Sequence, residues 1–173
     1  MTITLYDITV ASYLQGLQGV AGVLDKGLTH CEATGADADA LLDARLVADM
    51  QPLRFQVQSV AHHSRGAIEG VKSGTFLPPG PWAVTRYADL QDLVAETRSA
   101  LSALSRDEVN ALEGRDVAFQ VGERRMPYTG ENFLISFSIP NFYFHATTAY
   151  DILRARGVPL GKKDYIGTPR MKA

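Results

Sequence analysis

The stretch ENFLISFSIPNFYFHATTAYDILRARG, residues 131–157, decides the fold. Apolar side chains recur along it at spacings of three and four, which is the period of an amphipathic helix. The pattern predicts one long helix from about Glu131 to Arg156, with Thr129 as its N-cap and Gly157 at its end. Because such a helix must bury its apolar stripe against other elements, partners of similar length are expected elsewhere in the chain.

Three upstream segments carry the same apolar spacing. They cover about residues 6–33, 52–72 and 85–104. Four long helices, each with one apolar stripe, predict an all-α fold in the form of a four-helix bundle.

The segments between these helices follow other patterns. Alternating apolar residues followed by Gly122 predict a small β-hairpin at about residues 116–128, just before the last helix. The proline-rich stretch GTFLPPGPW, residues 74–82, predicts an extended loop. The tail, residues 157–173, is expected to be irregular.

Composition limits the classes of protein to consider. A chain of 173 residues suits one domain, here residues 1–173, and its net charge of −2 argues against binding nucleic acid through a basic surface. No apolar run approaches the ~20 residues of a membrane helix, and the N-terminus lacks the basic region of a signal peptide. The single cysteine, Cys31, excludes an internal disulfide. These features predict a cytoplasmic protein that binds neither membranes nor nucleic acids.

The last helix contains the candidate site. His145 falls on the stripe that should face the bundle interior, and Pro140 predicts a kink about one turn before it. Three further polar residues share that stripe: Ser138, Asn141 and Thr148. Buried polar groups are costly unless they bond one another or a bound partner. They either form a network that fixes the helix register, with Asn141 bonded to His145, or they form a ligand, metal or catalytic site.

The second helix contributes two adjacent histidines. His63 lies at the edge of the apolar face and His62 lies nearer the solvent. Adjacent helical residues diverge by about 100°, so the pair can be one edge and one surface residue. Alternatively, one of them and His145 can ligate a metal from facing helices. Cys31 beside His30 is interpreted as a small buried thiol, since neighbouring helical side chains point apart.

Three stretches resemble an uncharacterised bacterial family, a domain of unknown function within the DinB/YfiT-like superfamily of four-helix bundles. They are Ile139–Gly167, Leu41–Gln58 and Tyr128–Leu134. The resemblance implies a DinB-like bundle over essentially the whole chain. It also implies a divalent metal held by three histidines, one from the second helix and two from an HxxxH motif on the last. Several proteins of this superfamily are transferases or isomerases that use low-molecular-weight thiols, and many are dimers.

The sequence differs from the superfamily at one position of the HxxxH motif. The helix end LRxxG of these proteins corresponds to Leu153, Arg154 and Gly157, which places the second motif histidine on His145. The first falls on Asn141, giving NxxxH. Asparagine is a weaker ligand for zinc or nickel than imidazole.

Two hypotheses of function follow. The first is a small polar pocket that binds a small molecule and is lined by His145, Asn141, His63, Ser138 and Thr148. The second is a transferase that uses a low-molecular-weight thiol and a divalent zinc or nickel ion, with ligands drawn from His145, His63 and His62. The NxxxH sequence favours the first.

A homodimer is expected from the resemblance to the superfamily. The first helix also carries glycines at every third position, Gly16, Gly19 and Gly22, which form a smooth flank where another helix can approach closely.

Overall fold

The computed structural model describes residues 2–81 and 84–172. These residues are mostly helical, with a small three-stranded sheet. Trp82, the last residue of the predicted loop 74–82, lies outside the described residues. Across the described ranges, no helix combines the length and the apolar character needed to cross a membrane.

The helices and strands are as follows in chain order: α1 Leu5–Ile8, α2 Val10–Thr34, α3 Leu53–Ala61, α4 Ala67–Ser73, β1 Thr75–Phe76, α5 Tyr87–Ser102, α6 Arg106–Asn110, β2 Asp116–Val121, β3 Arg124–Thr129, α7 Gly130–Asn132, α8 Ile139–Ala155 and α9 Lys162–Ile166. A 3-10 helix covers Asp39–Asp43. Two π-helical turns complete the helical structure. We call them the first wide turn, His62–Gly66, and the second wide turn, Phe133–Ser138.

The long helices pack in a closed circle. α2 contacts α5 and α8, and α3 contacts the same two helices. Their apolar stripes meet inside this circle, where Tyr13, Leu17, Leu90, Phe142 and Ile152 are fully buried. Burying one large apolar side chain contributes roughly 1.5–3 kcal/mol. The stripes that predicted the helices therefore also form the core that holds them together.

The glycine flank of α2 is largely occupied within the chain. A Cβ atom at Gly16 would lie 2.6 Å from the ring of Phe142 on α8, and one at Gly19 would lie 2.1 Å from the carbonyl oxygen of Tyr165 in α9. Only Gly22 of the three has open space around it. The elements that approach this flank closely are therefore α8 and α9 of the same chain. The flank gives no support to a dimer interface.

The sheet contains a strand that the sequence did not predict. β2 pairs antiparallel with β3, and Val121 lies opposite Arg124 across the turn that begins at Gly122, whose φ is 57°. β1 adds a parallel neighbour to β2. This strand has two residues and lies inside the predicted extended loop. It is too short to show the alternation by which strands are recognised in a sequence.

Four predicted elements have a different form in the structure. The helix expected over residues 6–33 is divided at Thr9 into α1 and α2. The segments expected to be single helices, residues 52–72 and 131–156, are each interrupted by one wide turn. Pro140 stands just after the second wide turn, as the second residue of α8. Since proline has no N–H to donate and crowds the preceding turn, the widened backbone accommodates it there. The tail, expected to be irregular, contains α9, which is anchored to α2 by an ion pair of 2.7 Å between Lys26 and Asp164.

Candidate functional site

His63 and His145 lie side by side between the second and last long helical segments. Their ring centroids are 5.7 Å apart and their ring planes differ by 14°. His63 belongs to the first wide turn and His145 to α8, two elements that are in contact. Wide turns inside α-helices occur frequently at functional sites. We call His63, His145, Gln56 and Ser138 the histidine site.

A buried glutamine selects the tautomer of the neutral His145 imidazole. Gln56 lies on α3 and is 2% exposed. Its Nε2 donates to the carbonyl oxygen of Gln51 at 2.8 Å, so its Oε1 is left to accept from Nδ1–H of His145, also at 2.8 Å. In the neutral imidazole, Nε2 of His145 therefore carries the free lone pair.

A chain of hydroxyl groups holds the backbone at His63. The hydroxyl of Tyr13 donates to Ser138 Oγ at 3.0 Å, and Ser138 donates in turn to the carbonyl oxygen of His63 at 2.6 Å. Tyr13 and Ser138 are fully buried. This chain ties α2 and the second wide turn to the first, so the position of His63 is set by three elements at once.

The imidazole of His63 is left partly unpaired. The side chain is buried, with 8% of its surface exposed. Among the described residues, its Nδ1 has no hydrogen-bond partner. A buried polar nitrogen without a partner costs about 1–3 kcal/mol.

The histidines of this region are neutral at pH 7. Burial lowers the pKa of His63 to about 3, with smaller contributions from the positive charges of protonated His62 and His145. Burial also lowers the pKa of His145 to about 4, and His62 adds to this shift. The pKa of His62 is lowered mainly by burial. The imidazoles therefore offer hydrogen-bond donors and acceptors at pH 7 and carry no charge.

Aromatic side chains surround the two imidazoles. Phe55 and Phe144 meet the His145 ring nearly edge-on, at centroid distances of 5.7 and 5.2 Å. Phe76 and Phe137 contact the His63 ring at 5.5 and 5.7 Å. Phe144 is 56% exposed, so this aromatic surround reaches the protein surface.

The structure separates the predicted pocket residues into two groups. It brings His63, His145 and Ser138 together. Asn141 instead donates from Nδ2 to the carbonyl oxygen of Phe137 at 2.7 Å, and the Thr148 hydroxyl donates to the carbonyl oxygen of Phe144 at 2.8 Å. Short polar side chains on a helix readily reach the carbonyl four residues back. The bond predicted between Asn141 and His145 is therefore replaced by one to the backbone.

Two further features differ from the sequence expectations. His145, expected to be buried, is half-buried. Its partner Gln56 was missed, although a glutamine between Leu53 and Val57 on the apolar stripe of α3 was a usable signal. Cys31 is buried, as predicted, and its burial raises the pKa of the thiol.

The donor set does not fit the three-histidine metal centre that the resemblance implies. His62 is stacked on Phe76, with ring centroids 4.3 Å apart, and its Nε2 lies 2.9 Å from the carbonyl oxygen of Leu77. Asn141, at the position of the first histidine of HxxxH, can offer a metal only its amide oxygen, a weaker ligand for zinc or nickel than imidazole, and its Nδ2 donates to the carbonyl oxygen of Phe137. In the part of the chain that the structure describes, no three His, Cys, Asp or Glu residues are grouped so as to hold a metal ion.

Comparison with known proteins identifies the family. The model of the family described as "Domain of unknown function (DUF1993)" matches residues 5–166. The chain belongs to this family. It is also similar to the crystal structure of a DinB family member protein from Shewanella denitrificans, with a TM-score of 0.81 and 32% sequence identity over 98% of this chain and 95% of that one. No curated protein matches. The resemblance to an uncharacterised DinB-like family is confirmed.

Proposed function

We propose that the histidine site binds a small, uncharged, planar molecule. The observation that carries this proposal is the buried Nδ1 of His63, which lacks a partner among the described residues. A ligand that bonds this atom would remove the cost of leaving it unpaired. The neighbouring His145 offers a second polar contact through the lone pair of its Nε2.

The surroundings of the two imidazoles favour a flat and neutral ligand. Aromatic walls with a few convergent polar groups are the usual construction of small-molecule sites, and flat ligands stack well on them. A general acid or base works best when its pKa lies near the operating pH. The pKa of His63 is about 3 and that of His145 is about 4, both well below pH 7. These values support a role of the two imidazoles in binding a ligand rather than in transferring a proton.

The proposal includes the finer architecture expected from the sequence. The closed circle of α2, α5, α3 and α8 and the similarity to a DinB family member support a DinB-like four-helix bundle that forms one domain over residues 1–173. The single free cysteine, Cys31, supports a cytoplasmic location. A homodimer is proposed from the superfamily resemblance alone. Light scattering at micromolar concentration tests it, and a mass of one chain that does not change with concentration would exclude it.

Nuclear magnetic resonance of the imidazole nitrogens tests the binding proposal. Benzamide and nicotinamide serve as neutral planar probes, and benzoate serves as an anionic probe of the same shape. The neutral probes are expected to shift the ring nitrogens of His63 and His145, whereas benzoate leaves them unchanged. His63→Phe keeps an aromatic ring but removes the nitrogens, so it should abolish the shifts at His145. His30→Gln, a histidine on α2 outside the site, should preserve them.

Two results would contradict the proposal. The first is that His63→Phe and His30→Gln respond identically to the neutral probes. The second is stoichiometric zinc or nickel in protein purified without a histidine tag, together with metal-induced shifts at His63 and His145. That outcome would favour the metal-dependent transferase.

A further inference from the structure

A surface cleft lies on the side of the helix circle opposite the histidine site. It has a volume of about 630 Å³ and runs between the first half of α2 and the second half of α5. The histidine site, by contrast, lies where the second and last long helical segments meet. We call this second site the arginine cleft, defined by Tyr6, Leu14, Gln18, Arg98, Ser102 and Arg170.

The C-terminal tail forms one wall of the arginine cleft. The Nε2 of Gln18 donates to the hydroxyl of Thr168 at 3.1 Å, and the Oε1 of Gln18 accepts from the backbone N–H of Thr168 at 3.3 Å. The guanidinium of Arg170 donates to the carbonyl oxygen of Asp7 at 3.2 Å and to the hydroxyl of Ser12 at 3.4 Å. These bonds hold a positively charged side chain of the tail at the cleft.

The arginine cleft has a positively charged lining. Among the described residues, two arginines and no carboxylate line it. Within the described ranges, Arg98 and Arg170 form no ion pair. The carboxylate of Asp7, whose backbone bonds Arg170, is itself paired with Arg106 at 2.7 Å. An anion entering the cleft would therefore meet two guanidinium groups without a competing carboxylate in the lining.

The size and the walls of the arginine cleft suit an organic ligand. Its volume falls in the range of known ligand sites, about 300–1,000 Å³. Leu14 and Ala95 contribute apolar side chains, and Tyr6, whose ring centroid lies 4.8 Å from the guanidinium carbon of Arg106, also lines the cleft. An ion without an apolar part would leave this surface unused.

We propose that the arginine cleft binds a small organic anion. Its carboxylate or phosphate group bonds the guanidinium groups of Arg98 and Arg170, and its apolar body covers Leu14 and Ala95. Guanidinium groups form paired, charge-assisted hydrogen bonds with both kinds of anion. Removing one such partner is expected to weaken binding about tenfold or more.

Isothermal titration calorimetry tests this proposal with phenyl phosphate, benzoate and neutral benzyl alcohol. We expect one of the two anions to bind, and the tighter of them identifies the anionic group. Arg98→Gln and Arg170→Gln should each raise Kd about tenfold or more, whereas Arg98→Lys, which keeps the charge, should raise it less. Arg124→Gln removes the same charge from β3, outside the cleft, and should leave Kd unchanged.

Three outcomes would overturn the assignment. The first is that neither anion binds at millimolar concentration. The second is that benzyl alcohol binds as tightly as the better anion. The third is that Arg98→Gln and Arg124→Gln have the same Kd. Circular dichroism of each variant excludes unfolding as the cause of a change. His63→Gln should leave Kd unchanged, so this result is independent of the proposal for the histidine site.

Discussion

Acidification from pH 7 to pH 5 is expected to destabilise the folded protein through His63 and His145. In the unfolded chain the histidine pKa is near 6.5, whereas in the fold the pKa of His63 is about 3 and that of His145 about 4. Between these values the unfolded state binds protons that the folded state does not. The free energy of unfolding therefore falls as the pH falls below about 6.5, and it is retained at higher pH.

The size of this effect follows from the two pKa values. At pH 5 the imidazole of His63 is almost fully protonated in the unfolded chain and almost fully neutral in the fold. Proton linkage between pH 7 and pH 5 then gives a loss of about 2 kcal/mol for His63 and about 2 kcal/mol for His145. The carboxyl groups of Asp7 and Asp89, whose pKa values are lowered to about 2, lose their own contribution only at lower pH.

Urea unfolding followed by circular dichroism at pH 7, 6 and 5 measures the loss. The wild-type protein is compared with His63→Gln, which cannot titrate at that position, and with the control His30→Gln. The readout is the change in the free energy of unfolding between pH 7 and pH 5, not its value at one pH. His63→Gln should lose about 2 kcal/mol less than the wild type over this range. An equal loss in His63→Gln and the wild type would refute the assignment of His63 as a buried neutral histidine.

Three other changes test the packing around the sites. Tyr13→Phe removes the hydroxyl that bonds Ser138 and should lower the free energy of unfolding in urea by about 1 kcal/mol; no change would show that the hydroxyl chain is not stabilising. Gly19→Ala places a Cβ 2.1 Å from the Tyr165 carbonyl oxygen, so trypsin should cleave the tail faster than in Gly22→Ala, and equal rates would contradict the close packing of α9. The buried thiol of Cys31 should react slowly with a thiol reagent at pH 7 until denaturant is added, and rapid labelling of the folded protein would contradict its burial.

The helices were predictable from the sequence because side-chain periodicity reports which face of a helix is buried. The apolar stripes located α2, α5 and α8, and Gly35, with a φ of 69°, ends α2 where a left-handed residue is required. The wide turns left no such signal. They are changes in the backbone hydrogen-bond register, and the apolar spacing of residues 52–72 and 131–156 reads as helical with or without them.

The candidate site was predictable only in part. Its members His63, His145 and Ser138 stood out as polar residues at or near apolar stripes, which is a local property. The identity of their partners depends on how distant helices are rotated against one another. Gln56 lies 89 residues from His145 in sequence, and Tyr13 lies 125 residues from Ser138. For Asn141, several acceptors were within reach, and only the fold shows that the Phe137 carbonyl is the one used.

The two wide turns also determine how this chain tolerates changes in length. Removing one residue from a regular α-helix turns everything beyond it by about 100°. A π-helical turn holds more residues than an α-helical turn, so a one-residue deletion within His62–Gly66 or Phe133–Ser138 that restored regular α-helix would keep the flanking helices nearly in phase. It would instead redirect the side chains inside the turn, among them His63 and Ser138, which bonds the His63 carbonyl oxygen. Related chains that keep both histidines should therefore vary in length in the loops and the hairpin turn, and not inside these two helical segments.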